Sequence, residues 1–201
     1  MDKTMWEERF GREEFIYGEA PNEYFKRELD KLKAGKILLP LEGEGRNAVY
    51  AAKKGWQVHA FDYAENGKIK TEQLANREGV SIDQYWVTDA ESFSPEAEAY
   101  DAIALIYSHV PPEIRADFHQ KMIKALKPGG KVIFEGFSKE QLDYDSGGPP
   151  REDYLFSLDE VKKDFSELTF EYLEKEVVYL QEGRFHLGEG SVIRMTGVKE
   201  K

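Results

Sequence analysis

Residues 37–62 read ILLPLEGEGRNAVYAAKKGWQVHAFD, an order of residue types that fits half of a nucleotide-binding β-α-β unit. Ile37, Leu38 and Leu39 form an unbroken apolar run, the pattern of a parallel strand covered on both faces. Gly43 and Gly45 follow, where backbone without a Cβ can turn sharply and lie close to a ligand. Ala48, Val49, Ala51 and Ala52 predict a closely packed helix, ended by Gly55. Val58 to Phe61 predict the next strand. Asp62, at its C-terminal end, carries a carboxylate able to accept two hydrogen bonds from a ribose diol.

Upstream, residues 1–20 interleave charge with Trp6, Phe10, Phe15 and Tyr17, which reads as a lid of packing aromatics. Pro21 and Asn22 then open a helix with Tyr24, Phe25, Leu29 and Leu32 at helical spacing, ending near Gly35. Downstream, Asn66 to Glu78 predict a helix, Gln84 to Val87 a third strand and residues 101–107, DAIALIY, a fourth. Pro111-Pro112 start a helix that runs to about Lys127, and Lys127-Pro128-Gly129-Gly130 turn into a fifth strand, Lys131 to Phe137. Ser157 and Glu160 have capping-box spacing. Phe170 to Leu180 and Ser191 to Val198 alternate around EGRFHLGEG, as an antiparallel hairpin does. The expected fold is α/β: a doubly wound, mostly parallel seven-stranded sheet closed by a C-terminal antiparallel hairpin. Its ligand would lie over the C-terminal strand ends, where Asp62, Asp89 and Ser108-His109 fall.

With 201 residues and no Pro/Gly/Ser-rich linker, one domain over 1–201 is expected: residues 1–34 as aromatic lid and helix, 35–201 as the Rossmann-like core. A net charge of −11 argues against holding nucleic acid by phosphate neutralisation, so the expected partner is a small molecule. There is no cysteine, and the four histidines have no short ligand spacing, so no metal site is expected. The charged N-terminus has no apolar leader core and no run approaches membrane-spanning length, which points to a cytoplasmic protein without a membrane partner.

Gly43-Glu-Gly45-Arg-Asn-Ala48 also matches the dinucleotide fingerprint, leaving a small NAD-dependent oxidoreductase as an alternative; no chain after the hairpin is available for its substrate domain. The remaining pieces, Asp89, YDAIALIYSHVPPE, LKPGGKVIFEGF and the hairpin, decide differently. Over about residues 35–200 the chain resembles the class I S-adenosylmethionine-dependent methyltransferases, and within them most the tellurite-resistance and thiopurine-type enzymes. The resemblance implies S-adenosylmethionine as cofactor. Gly43 and Gly45 would approach its methionine part, Asp62 with the adjacent Tyr63 its ribose, and Asp89 with Ala90 its adenine edge. Ile106 and Tyr107 would line the methionine and the transferable methyl, and Tyr17 would cover the cofactor. Arg46 and Asn47, opening the helix after the turn, would either touch ligand or serve the loop and solvent.

One departure stands out. The family motif has an acid at the end of the first strand and a glycine two residues later, where this chain has Leu39 and Leu41. Glu42 is the nearest carboxylate, and it is expected to pair with the cofactor's ammonium.

The implied reaction is in-line methyl transfer to a small-molecule acceptor. Sulfonium is a good leaving group, so holding the reactants in line supplies most of the catalysis. A base is required only for an acceptor that arrives protonated, with His109 or Tyr107 as candidates. His109, Arg184 and His186 are the candidate acceptor contacts, against ordinary loop roles, while Asp62 and Asp89 could instead cap helices. The missing motif acid and glycine leave a further alternative, a cofactor-binding regulator or an inactive methyltransferase.

Overall fold

The computed structural model describes residues 3–200. One seven-stranded sheet organises them, in the order β3-β2-β1-β4-β5-β7-β6. Its strands are β1 (Lys36–Pro40), β2 (Gln57–Asp62), β3 (Gln84–Val87), β4 (Tyr100–Ile106), β5 (Leu126–Phe137), β6 (Leu168–Gln181) and β7 (Leu187–Lys199). Neighbours from β3 through β5 run parallel, whereas β7 enters antiparallel between β5 and β6. That inserted antiparallel strand separates this sheet from the six-stranded parallel order of dinucleotide-binding domains.

The apolar run of β1 is continuous because both its faces are covered. Ile37 and Leu39 face α2 (Glu23–Leu29) and α3 (Arg46–Lys53) in one core cluster, with Tyr24, Phe25, Ala48 and Ala51. Leu38 points the other way, into a cluster with Phe118 and Met122 of α5 (Pro112–Ala125) and Val161 of α6 (Leu158–Asp164). Local chemistry sets the helix starts. The Asn22 side chain accepts the Phe25 N–H at the head of α2, and Ser157 and Glu160 close the expected capping box on α6.

Several boundaries differ from those expected. The aromatic N-terminal segment contains a helix, α1 (Lys3–Phe10), and α4 spans Glu65–Arg77. The Glu7 carboxylate accepts the N–H groups of Glu65 (2.8 Å) and Asn66 (3.0 Å), so α1 is docked on the N-terminus of α4. Helix α2 stops at Leu29, short of Gly35, and α5 stops at Ala125. Strand β5 begins at Leu126, because Leu126 already pairs with Tyr100; the Lys127–Gly130 turn is a bulge before regular pairing resumes at Lys131. Tyr107 leaves β4 with φ +52°, turning its side chain toward the C-terminal edge. No helix among the described residues is long and apolar enough to cross a membrane.

Candidate active site

The chain reverses winding direction between β1 and β4, and a cleft of about 440 Å³ opens at their C-terminal ends. On one side it is built by the glycine turn. Leu41, Gly43 and Gly45 have φ of +53°, +62° and +86°, so Leu41 keeps the left-handed backbone of the glycine it replaces. That costs about 1 kcal/mol or more. A Cβ on Gly45 would lie 2.4 Å from Thr71 Oγ1. Asp62 closes the turn from β2: Oδ2 accepts Gly43 N–H (3.2 Å) and Oδ1 accepts Ala64 N–H (2.9 Å). Burial raises its pKa to about 6, against those donors.

Two glutamates flank the turn. Glu42 Oε1 accepts Ala48 N–H (2.7 Å) at the head of α3, and burial pushes its carboxyl up to about 7 despite that donor and Arg46. Glu44 Oε2 accepts the N–H groups of Ile16 (2.9 Å) and Tyr17 (3.3 Å), tying the N-terminal loop to the turn. Its Oε1 is buried without a hydrogen-bond partner, 3.7 Å from Lys70 Nζ.

The other end of the cleft is aromatic, lined by Trp6, Tyr17, Tyr107, Phe137, Tyr154 and Phe185. The Arg9 guanidinium sits 4.8 Å from both the Trp6 and Phe185 ring centroids and donates to Tyr17 Oη (2.9 Å). A buried polar network lies behind these rings. Asn22 Nδ2 donates to Glu135 Oε1 (2.6 Å) and Glu182 Oε1 (2.8 Å), joining two buried carboxylates. Arg194 pairs with Glu135, and Arg46 Nη2 with Glu182 Oε2 at 3.0 Å. Burial opposes charge on Glu182, but Arg46 and His186 outweigh it and hold the carboxyl near 2.

Most of the residues singled out in sequence converge on this cleft: Tyr17, Glu42, Gly43, Arg46, Asn47, Asp62, Tyr63, Ile106, Tyr107, His109 and His186 line it. Asn47 also accepts the Asn22 N–H (2.9 Å), setting α2 against α3. Others are corrected. Asp89 is exposed and accepts the Ser92 N–H (2.7 Å), closing a turn with no helix to cap, and Ala90 is in the core; neither lines the cleft, nor does Gly45. Arg184 points away, 65% exposed beside Glu14. His109 is no candidate base: Nδ1 donates to Tyr154 O (2.8 Å), which leaves Nε2 to accept the Phe137 N–H (3.3 Å), and burial lowers its pKa to about 4. Tyr107 Oη donates to Glu135 Oε1 (2.7 Å), and burial raises its pKa well above the ordinary phenol value, so it too is no base. Sequence reasoning missed Asn22 as a bridge, Glu135 and Glu182. Only Glu135 left a signal, as a lone acid within the apolar run of β5.

A family model described as a methyltransferase domain matches residues 42–130, from the glycine turn to the bulge before β5. Over that segment, less than half of the chain, the protein is similar to methyltransferase domains. It is 25% identical over 141 residues to thiopurine S-methyltransferase of Vibrio cholerae serotype O1 (strain M66-2), covering 63% of each chain. It is 29% identical over 147 residues to probable thiol methyltransferase 2 of Arabidopsis thaliana, covering 72% of this chain and 62% of that protein. The chain thus spans under two thirds of the length of both relatives. Its fold is shared with Burkholderia thailandensis 1,6-didemethyltoxoflavin-N1-methyltransferase, solved with its substrate and S-adenosylhomocysteine (TM-score 0.62, 17% identity, 89% of this chain and 79% of that one).

S-adenosylmethionine is the cofactor of such a domain, and the residues present fit it. The turn offers the left-handed backbone of Leu41 and Gly43 at the cleft, two carboxylates without a cationic side chain bonded to them, the half-buried Glu42 and the buried Asp62, and the unsatisfied oxygen of Glu44. A carboxyl pushed up to about 7, as at Glu42, is one that a bound ammonium would return to the ionised state, and Asp62, raised to about 6, would be drawn the same way by hydroxyl donors.

Proposed function

We propose that the protein transfers the methyl group of S-adenosylmethionine to the sulfur of a small thiol-bearing acceptor seated among the aromatic rings. The observation that carries this reading is the character of the acceptor end: aromatic walls, with the Arg9 guanidinium as the cation among them and Arg151, paired with Asp153, at the mouth. An amine would arrive as an ammonium and meet like charge there, whereas a thiol or thiolate packs on the rings and is favoured by the cations. The names of the Vibrio cholerae and Arabidopsis thaliana relatives support a sulfur acceptor.

In this reading Glu42 holds the cofactor's ammonium, Asp62 the ribose diol, and the Gly43–Gly45 backbone the methionine, with Tyr63 and Asn47 alongside. Ile106 and Tyr107 close on the methyl group, and Tyr17 with α1 excludes water. When bound, the cofactor supplies an electrophilic methyl carbon. The protein holds the acceptor sulfur opposite the departing sulfonium, a proximity contribution of about 7–11 kcal/mol.

S-adenosylhomocysteine release measured over matched thiols, amines and alcohols tests the reading. Turnover confined to thiols supports it. Equal or better turnover with the amines contradicts it, binding without turnover leaves a cofactor-binding regulator, and stabilisation by NAD alone overturns the cofactor assignment.

A further inference from the structure

The acceptor end of the cleft contains two histidines, and their ring nitrogens are used differently. Both nitrogens of His109 are engaged with backbone. His186, in the tip of the β6–β7 hairpin, presents Nδ1 to Glu182 Oε2 at 3.3 Å, its ring's one hydrogen bond among the described residues, and the ring lines the cleft. The ring is fixed by Tyr17 and Tyr107 (centroids 4.6 Å away in each case) and Phe137 (5.2 Å). Glu182 is itself fixed by Arg46 and the Asn22 amide.

We propose that His186 Nε2 is the proton acceptor of the methyl transfer, with Glu182 the positioning residue that keeps the hydrogen on Nδ1. This rests on the reading of the acceptor as a thiol that enters protonated. The S–H proton passes to Nε2 while the sulfur lone pair forms the new S–CH3 bond. The methyl C–S bond of the sulfonium breaks, and its electron pair stays on the sulfur of S-adenosylhomocysteine. The imidazolium, paired with Glu182, returns its proton to water after product release. Burial keeps the free imidazole below its ordinary pKa, so it rests in the base form.

The charged and titratable groups facing His186 are Glu182 on its own turn, Arg46 of α3, Arg9 of α1, Tyr17 of the N-terminal loop, Tyr107 after β4 and, beyond Phe137, His109. Saturating cofactor keeps Glu42 and Asp62 out of the acceptor's pH profile.

The test compares wild type with His186→Gln on two acceptors, an alkyl thiol with a pKa of about 8.5 and an aromatic thiol already ionised at the assay pH. The expected result is a kcat loss of about 100-fold on the alkyl thiol at pH 7, which shrinks as pH passes the thiol's pKa. The ionised thiol should lose less than about threefold, because no proton needs to be removed. Added imidazole should restore alkyl-thiol turnover to His186→Ala, and Glu182→Gln should show the same acceptor-dependent loss in weaker form. Unchanged S-adenosylhomocysteine affinity and melting temperature establish that the His186 variants are folded; Glu182→Gln, which also loosens the buried Arg46 pair, is compared through its alkyl-to-aromatic thiol ratio alone. A loss equal for both thiols at every pH, or no loss, overturns the role of His186 while leaving thiol methylation standing. Failure of wild type on both thiols, with the cofactor bound, overturns the thiol reading and this inference with it.

Discussion

Glu42 is the carboxylate on which cofactor affinity is expected to turn. Its pKa near 7 in the ligand-free protein means that binding an ammonium must first ionise it and release a proton. Affinity should therefore rise with pH through 7. From pH 7.5 to 6 the ionised fraction of a group with that pKa falls roughly eightfold, and Asp62, near 6, adds about a further twofold, so S-adenosylhomocysteine should bind roughly 15-fold more weakly at pH 6. Glu42→Gln retains an oxygen for the Ala48 N–H, so α3 stays capped while the charge is lost. In that variant the pH dependence should shrink to the twofold of Asp62, and affinity at pH 7.5 should fall by roughly tenfold or more, the worth of a charge-assisted hydrogen bond. Stability carries the opposite sign. An acid whose folded pKa lies above its unfolded value loses stability as pH rises from about 4.5 to 7, so the ligand-free variant should melt higher than wild type at pH 8. Calorimetric titration at both pH values, with melting curves, measures all three. An unchanged pH slope in Glu42→Gln, or affinity within twofold of wild type at pH 7.5, refutes the pairing of Glu42 with the ammonium.

Three further outcomes are expected. Gly45→Ala combines φ +86° with a Cβ 2.4 Å from Thr71 Oγ1, so it should cost about 2 kcal/mol or more; denaturant unfolding within 0.5 kcal/mol of wild type would contradict this. Arg46→Met leaves the Glu182 carboxylate, 8% exposed, without its 3.0 Å partner, and the loss should be about 3–5 kcal/mol by the same unfolding measurement. The His109 imidazole, followed by NMR, should titrate near 4 as the Nδ1–H tautomer, and a midpoint at 6 or above would restore it as a candidate base.

The fold was legible in sequence where one local cause sufficed. β1 and β2 are covered on both faces and so read as apolar runs, and the heads of α2 and α6 carry caps whose partners lie three residues away. Helix α1 was not, because its sequence KTMWEERF has no apolar stripe and its docking depends on Glu7 meeting α4 some 58 residues later. The turn end of the cleft, where Gly43 and Asp62 meet, followed from their spacing in sequence. The aromatic end of the cleft depends on Asn22 reaching Glu135 and Glu182, 113 and 160 residues away, which no local pattern encodes. At Asp89 the sequence left a ligand-facing acid and a cap open, and the structure adds a turn in which its carboxylate accepts the Ser92 N–H.

Mass spectrometry of the acceptor after incubation with S-adenosylmethionine carrying a deuterated methyl group tests the central claim most directly. The expected result is a small thiol converted to its deuteromethyl thioether, with one S-adenosylhomocysteine formed per product. Label on nitrogen or oxygen of the same scaffold, with the thiol untouched, would contradict it.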